Sequence, residues 1–294
     1  MSTRTSFRAL LVTTVLAFAL GLGATGCTDQ DPRYRPQVPA ASAPALRSPG
    51  KVLFVLSAAE HQVLRNGKRR PTGNFLSELY EPYLALENAG YEVVVATPEG
   101  RAPSIDPESL DAKYWLDHPE HRQAARDLVA TPLLAKPTSL AEALASHRQF
   151  QGMLVPGGQG LMVDLLDDAR VHALLEQFAV SDRPLGMICH APALLTRLPR
   201  SHTLRGRQVT SVSGFEEFYI ETFVMGGNAR VRDIGDQLEA LGYDHTSAFP
   251  GRSHAVRDCN VVTSQNPFSG SDFTRLYLDA LSDFRRGARC VVTE

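Results

Sequence analysis

Lysine is nearly absent from this chain: Lys51, Lys68, Lys113 and Lys136 are the only four, and arginine carries the remaining basic charge. We attach no function to that bias. No excess of either sign exists, since the formal net charge is −2 over 294 residues. A near-neutral chain has no electrostatic ground for holding nucleic acid. Cysteine is sparse, with four residues. No internal repeat is visible. Long apolar runs are lacking too: the longest, from Ala9 to Leu22, is short of the roughly 20 residues that a spanning helix needs. What is present suits one globular domain, 43% hydrophobic and 21% charged, large enough to bury a substantial core.

The short run is instead the centre of a targeting segment. Arg4 and Arg8 precede it, and Gly23-Ala-Thr-Gly26 leads to Cys27, which is the arrangement of a secretory signal. A cysteine directly after Ala24-Thr25-Gly26 resembles a bacterial lipobox, with Ala24 in place of the usual leucine. Residues 1–26 are therefore expected to be a signal peptide and Cys27 a lipidation site. That would make the protein an exported, membrane-anchored lipoprotein of the cell envelope. Residues 27–50 carry Pro32, Pro36, Pro39, Pro44 and Pro49 and read as a tether without core-forming pattern. The folded body is expected over 51–285, with a tail at 286–294. In an exported chain, Cys259 and Cys290 could pair and leave Cys189 free; three free thiols would fit the sequence as well.

The body alternates strands and helices. Lys51–Ser57, Tyr91–Thr97, Gly152–Pro156 and Pro184–Ile188 are near-continuous apolar runs, as expected of strands buried on both faces. Gln208–Ser213 and His254–Ser264 read as two later strands. Helical spacing is evident at Phe75–Ala89, Met162–Val180, Asp233–Leu241 and Phe273–Phe284, the last capped by Ser271. Ser139-Leu-Ala-Glu142 is a capping-box pattern opening another helix toward His147. The expected fold is α/β, a three-layer sandwich on a mostly parallel sheet with helices on both faces. Residues 101–137 are too long for an ordinary connection and read as a lid insertion.

Cys189 lies in Pro184-Leu-Gly-Met-Ile-Cys-His-Ala-Pro-Ala-Leu-Leu195, where a buried strand ends and helical spacing begins at once. A nucleophile on a sharp strand-to-helix turn stands exposed above a sheet. A helix N-terminus beneath it would favour the thiolate. Gly157 and Gly158 close another strand, where glycine lets the backbone approach a substrate. The N–H groups of Gly158 and His190 could form an oxyanion hole. His118, Glu120 and His121 have zinc-ligand character, but Pro119 argues against one helix presenting both imidazoles, so no metal is expected.

Taken together, these residues resemble the ThiJ/PfpI superfamily, with its glutamine amidotransferase-like, flavodoxin-like fold. The specific likeness is to the branch of heat-shock chaperones and glutathione-independent glyoxalases (glyoxalase III, D-lactate dehydratase). Thr72-Gly-Asn-Phe-Leu-Ser-Glu78, Pro156-Gly-Gly-Gln-Gly160 with Asp164-Leu165, and Cys189-His-Ala-Pro192 are similar to its signatures. So are Val209-Thr210 through Glu216-Glu217 and Val262-Thr-Ser-Gln-Asn-Pro267. Gln159 stands where the branch usually has histidine, and Ala191 where glycine is common. The resemblance implies that Glu78 hydrogen-bonds the sulfur of Cys189 as a protonated acid. It also implies that His190 is the triad base, oriented by Glu217, with Glu216 next in line.

The activity so implied is conversion of methylglyoxal-type 2-oxoaldehydes to 2-hydroxy acids without cofactor. Removal of early glycation adducts from proteins, or amide cleavage, is the enzymatic alternative. A holdase chaperone for unfolded proteins, or a redox-sensing binding protein, is the non-catalytic one. A homodimer is compatible with all three.

Overall fold

The computed structural model describes residues 49–116 and 118–290. The signal peptide, Cys27 and nearly all of the tether lie outside the described residues. Eleven strands are formed by the described residues: β1 (Lys51–Val55), β2 (His61–Val63), β3 (Arg69–Pro71), β4 (Glu92–Thr97), β5 (Thr138–Ser139), β6 (Phe150–Val155), β7 (Leu185–Ile188), β8 (Gln208–Val209), β9 (Asp244–His245), β10 (Ala255–Asp258) and β11 (Val261–Ser264). Seven of them make one sheet in the order β10-β11-β7-β6-β1-β4-β5. Every neighbouring pair in it is parallel except β10 with β11. In register, Val155 faces Met187 and Ile188 faces Ser264. The carboxyl ends of β6, β7 and β11 therefore finish side by side, where ligands sit in such sheets.

Helices α1 (Leu76–Asn88), α2 (His121–Val129), α3 (Pro132–Ala135), α4 (Leu140–Ala145), α5 (Leu161–Asp164), α6 (Ala169–Ala179), α7 (Gly214–Tyr219), α8 (Ile234–Ala240) and α9 (Gly270–Arg285) accompany the strands. α9 buries Phe273, Leu276, Tyr277, Ala280 and Leu281, the large side chains contributing roughly 1.5–3 kcal/mol each. Its close approach depends on Gly186 in β7, where an added Cβ would meet the Phe273 ring at 2.9 Å. α4 opens with the expected capping box: Glu142 N–H donates to Ser139 Oγ at 3.2 Å, and Ser139 N–H donates to Glu142 Oε2 at 2.9 Å.

The structure corrects four local expectations. The helix expected over 162–180 is two, because Asp164 accepts a bond from Ala58 N–H at 2.8 Å and Asp168 caps a new start at Arg170 N–H. The strand expected over 254–264 is an antiparallel pair turning at Cys259, whose φ is +61°. Only Gln208–Val209 of the 208–213 run is strand; Thr210 N–H bonds the Thr263 side chain and Val212 N–H turns to Cys189 O. Ser269, not Ser271, stands at the N-cap of α9.

Cys259 and Cys290 form a disulfide with Cα atoms 5.6 Å apart, and Cys189 is the free cysteine among the described residues. The 101–137 segment carries α2, α3 and two short 3-10 turns. It packs on α1: Trp115 is buried, donates Nε1–H to Ser109 O at 3.0 Å, and stands 6.4 Å from the Tyr80 ring. Tyr114 lies edge-on to Phe75 at 4.8 Å and 6.0 Å from Phe268. No helix among the described residues is long and apolar enough to cross a membrane.

Candidate active site

The backbone of Cys189 is in the left-handed region, φ +58°, a conformation costing an L-residue roughly 1–2 kcal/mol. Two backbone bonds hold it there: Cys189 N–H donates to Ser264 O at 2.7 Å, and Cys189 O accepts from Val212 N–H at 2.9 Å. The loop continuing from β8 and the end of β11 thus clamp the turn that carries Cys189. The chain then enters a seven-residue 3-10 helix, Ala191–Arg197. The α-helix expected there is absent, so aligned helix dipoles contribute less to the sulfur than its neighbouring side chains do.

Glu78 projects inward from the first turn of α1 and is 3% exposed. It accepts the Gly157 N–H on Oε2 at 2.9 Å and stands beside the Cys189 side chain, with Oε1 buried and without a hydrogen-bond partner. Burial pushes its carboxyl up to about 8, against the opposing pull of the Cys189 side chain and the Gly157 N–H. Burial likewise raises the Cys189 thiol, reinforced by Glu78 and Glu216, while the His190 backbone N–H favours the thiolate. With both groups raised, the pair retains at least one shared proton at neutral pH. Gly157 is required between them: a Cβ would meet Glu78 Oε2, the Cys189 Cβ at 2.7 Å and Ile188 O at 2.8 Å.

His190 is 2% exposed, with Nδ1 3.2 Å from Cys189 Sγ. Burial lowers it to about 4, so the ring is neutral at physiological pH. Its Nε2 lies 2.8 Å from the Nε2 of Gln159.

Glu217 is not brought to His190, contrary to the triad expected. Its carboxyl is buried against the next loop and accepts the Asp233 N–H on Oε2 at 2.6 Å. Burial raises it to about 7. Glu216 does not take the role either. It forms a capping box with Ser213 and accepts from Gln265 Nε2 at 3.0 Å, Asn266 Nδ2 at 2.8 Å and Gly251 N–H at 2.9 Å. Glu216 is thus the tie between α7 and the loop after β11. Sequence reasoning missed that function; the signal was Ser213-Gly-Phe-Glu216, a capping-box spacing.

Of the two oxyanion donors expected, the His190 N–H lies near the Cys189 sulfur and favours its thiolate. Gly158, φ +106°, packs against Gly73–Phe75. His118 and His121 are brought together despite Pro119, rings stacked at 4.7 Å with Glu120 between them. They stand on the 101–137 segment, where Glu120 precedes α2 rather than all three lying within a helix.

These features define an α/β protein with a buried cysteine at the carboxyl edge of a parallel sheet, flanked by an acid and an imidazole. The DJ-1/PfpI family matches residues 74–280, and the chain belongs to that family. Protein/nucleic acid deglycase HchA of Pseudomonas aeruginosa is 29% identical over 246 residues, covering 77% of this chain and 79% of the relative. The protein of the same name from Escherichia coli is 26% identical over 237 residues, covering 78% and 80%. The crystal structure of glyoxalase III from Candida albicans superposes with a TM-score of 0.64 at 19% identity, covering 79% of this chain and 98% of that one. At that identity the likeness concerns the fold.

Proposed function

We propose that this protein is a cofactor-independent cysteine enzyme of 2-oxoaldehyde chemistry, with methylglyoxal as the simplest substrate. The observation that carries the reading is the buried Glu78 carboxyl, bonded to Gly157, set beside Cys189 and raised to about 8. Such a group exchanges a proton near neutral pH without an added cofactor. The thiolate adds to the aldehyde carbon: a C–S bond forms, the C=O π pair moves to oxygen, and that oxygen is protonated to a hemithioacetal. Glu78 then carries the proton from that carbon toward its ketone neighbour through an enediol, leaving a thioester of a 2-hydroxy acid. Water cleaves the thioester and restores the thiol. The sum is methylglyoxal plus water giving lactate.

A second reading is favoured by the deglycase names of the relatives. The same sulfur would attack an early adduct of methylglyoxal on an amine, and the amine would leave. Full-length protein incubated with methylglyoxal, and separately with methylglyoxal-treated N-acetyl-lysine, distinguishes them. Lactate from the first supports glyoxalase action, and free amine from the second supports deglycation. Absence of any Cys189-dependent product in both overturns the enzyme reading, and suppression of aggregation that survives Cys189→Ala would then favour a holdase.

The enzyme is further proposed to act outside the cytoplasm, held by lipid on Cys27. The Cys259–Cys290 disulfide supports an oxidising compartment. Mass spectrometry of the mature N-terminus tests it: an unmodified terminus at another residue refutes the anchor.

A further inference from the structure

The imidazole of His190 is gripped at both nitrogens, by Cys189 Sγ at 3.2 Å and Gln159 Nε2 at 2.8 Å. Gln159 is 4% exposed and directly follows the glycine pair after β6, so the sheet sets its place. An amide nitrogen only donates, and a ring nitrogen facing it must offer its lone pair. A neutral ring that accepts at Nε2 carries its proton on Nδ1. Turning the amide over would let Gln159 Oε1 accept from Nε2–H. It would also put the NH2 group where Oε1 now has no partner. As placed, the amide leaves one carbonyl and one N–H without a partner; turned over, it would leave two N–H groups, and a buried orphaned N–H is rarer than an under-satisfied carbonyl, so the present orientation is favoured.

We propose that Gln159 is a positioning residue that holds His190 as the Nδ1–H tautomer, so that the ring donates to the Cys189 sulfur and Glu78 receives the thiol proton. In that step, which starts from the ionised form of Glu78, the S–H bond breaks, the proton moves to a carboxylate oxygen of Glu78, and the electron pair stays on sulfur. The thiolate formed accepts from Nδ1–H, and the nearby His190 backbone N–H also favours it. No carboxylate among the described residues bonds Nε2: Glu217 is held by Asp233, and Glu216 by Ser213, Gly251, Gln265 and Asn266. Nothing therefore supports an imidazolium. This assignment rests on Cys189 being the reactive thiol of the proposed function.

The test is two-bond 1H–15N NMR of the full-length chain, which reads the tautomer of His190 directly, alongside the pH profile of Cys189 alkylation by iodoacetamide. Wild type is expected to carry the proton on Nδ1 between pH 6 and 8. Gln159→Glu would accept from Nε2–H and stabilise the imidazolium, moving the alkylation midpoint down by about one pH unit or more. Gln159→Met would lose the tautomer preference while keeping its melting temperature within a few degrees. A wild-type ring protonated on Nε2, or a Gln159→Glu chain with unchanged tautomer and profile, overturns the assignment. If Gln159→Glu does not fold, the wild-type tautomer alone decides. No substrate enters these measurements, so absent methylglyoxal turnover would refute the proposed function and leave this assignment standing.

Discussion

The backbone N–H of Gly157 and the carboxyl of Glu78 are joined at 2.9 Å across the gap between the end of β6 and the start of α1. That one bond seats the acid beside the sulfur. Because a side chain at 157 would strike the acid, the Cys189 Cβ and Ile188 O together, Gly157→Ala is expected to destabilise by about 1–3 kcal/mol. It should also slow alkylation of Cys189 at least tenfold. Urea unfolding and iodoacetamide kinetics check both; a stable, normally reactive variant would contradict the packing.

Stability should depend on pH through the buried acids. Glu78, raised to about 8, and Glu217, raised to about 7, bind protons more tightly folded than unfolded. Their stabilising effect is present below the usual carboxylate range and is lost as pH rises through those values. For Glu78 the loss is on the order of 5 kcal/mol. Thermal melts of Glu78→Gln and Glu217→Gln should show a shallower decline between pH 5 and 8 than wild type.

His190 acts in the opposite sense. Held down to about 4 by burial, it withholds a proton that the unfolded chain binds below about 6.5. Its contribution is present above that value and lost as pH falls toward 4. His190→Gln should therefore resist acid unfolding better than wild type, read as a smaller fall in melting temperature from pH 6.5 to 4.5. An unchanged fall would mean that the ring is not buried neutral.

The two neighbouring glutamates of α7 should separate cleanly. Glu216→Ala removes a capping box and the ties to Gln265, Asn266 and Gly251, and should cost about 2–4 kcal/mol with loss of thiol reactivity. Glu217→Gln should retain Cys189 alkylation within about threefold, since Glu217 touches Asp233 and not His190. A drop of a hundredfold in Glu217→Gln would restore it as the triad acid.

Cys290→Ser opens a loop spanning 31 residues and should cost about 3 kcal/mol. The cross-link lies away from the Glu78–Cys189 pair, so the variant's thiol chemistry at 25 °C should match wild type. Parallel denaturation and alkylation assays decide this.

Strands β1, β4, β6 and β7 were legible because burial on both faces leaves an uninterrupted apolar run. The split between α5 and α6 was not, since Asp164 is turned out of the helix by a bond to Ala58, which is remote in sequence. Cys189, Glu78 and Gly157 could be found because each stands just past a strand end or at a helix start. The partner of His190 could not. Spacing along α7 made Glu217 the reasonable acid, and only the packing of the loop through Asp233 shows its carboxyl facing elsewhere. Gln159 was visible as a departure from the usual histidine, yet nothing in one dimension places it against a ring 31 positions away.

The left-handed backbone of Cys189 has a consequence for any attempt to improve this molecule. Glycine is the one residue that sits there without strain, so Cys189→Gly would relax the turn while deleting the proposed nucleophile. Selection for heat resistance alone would pull toward that inert chain. Robustness and reactivity conflict at a single dihedral, and the clamps from Ser264 and Val212 hold it on the side of chemistry.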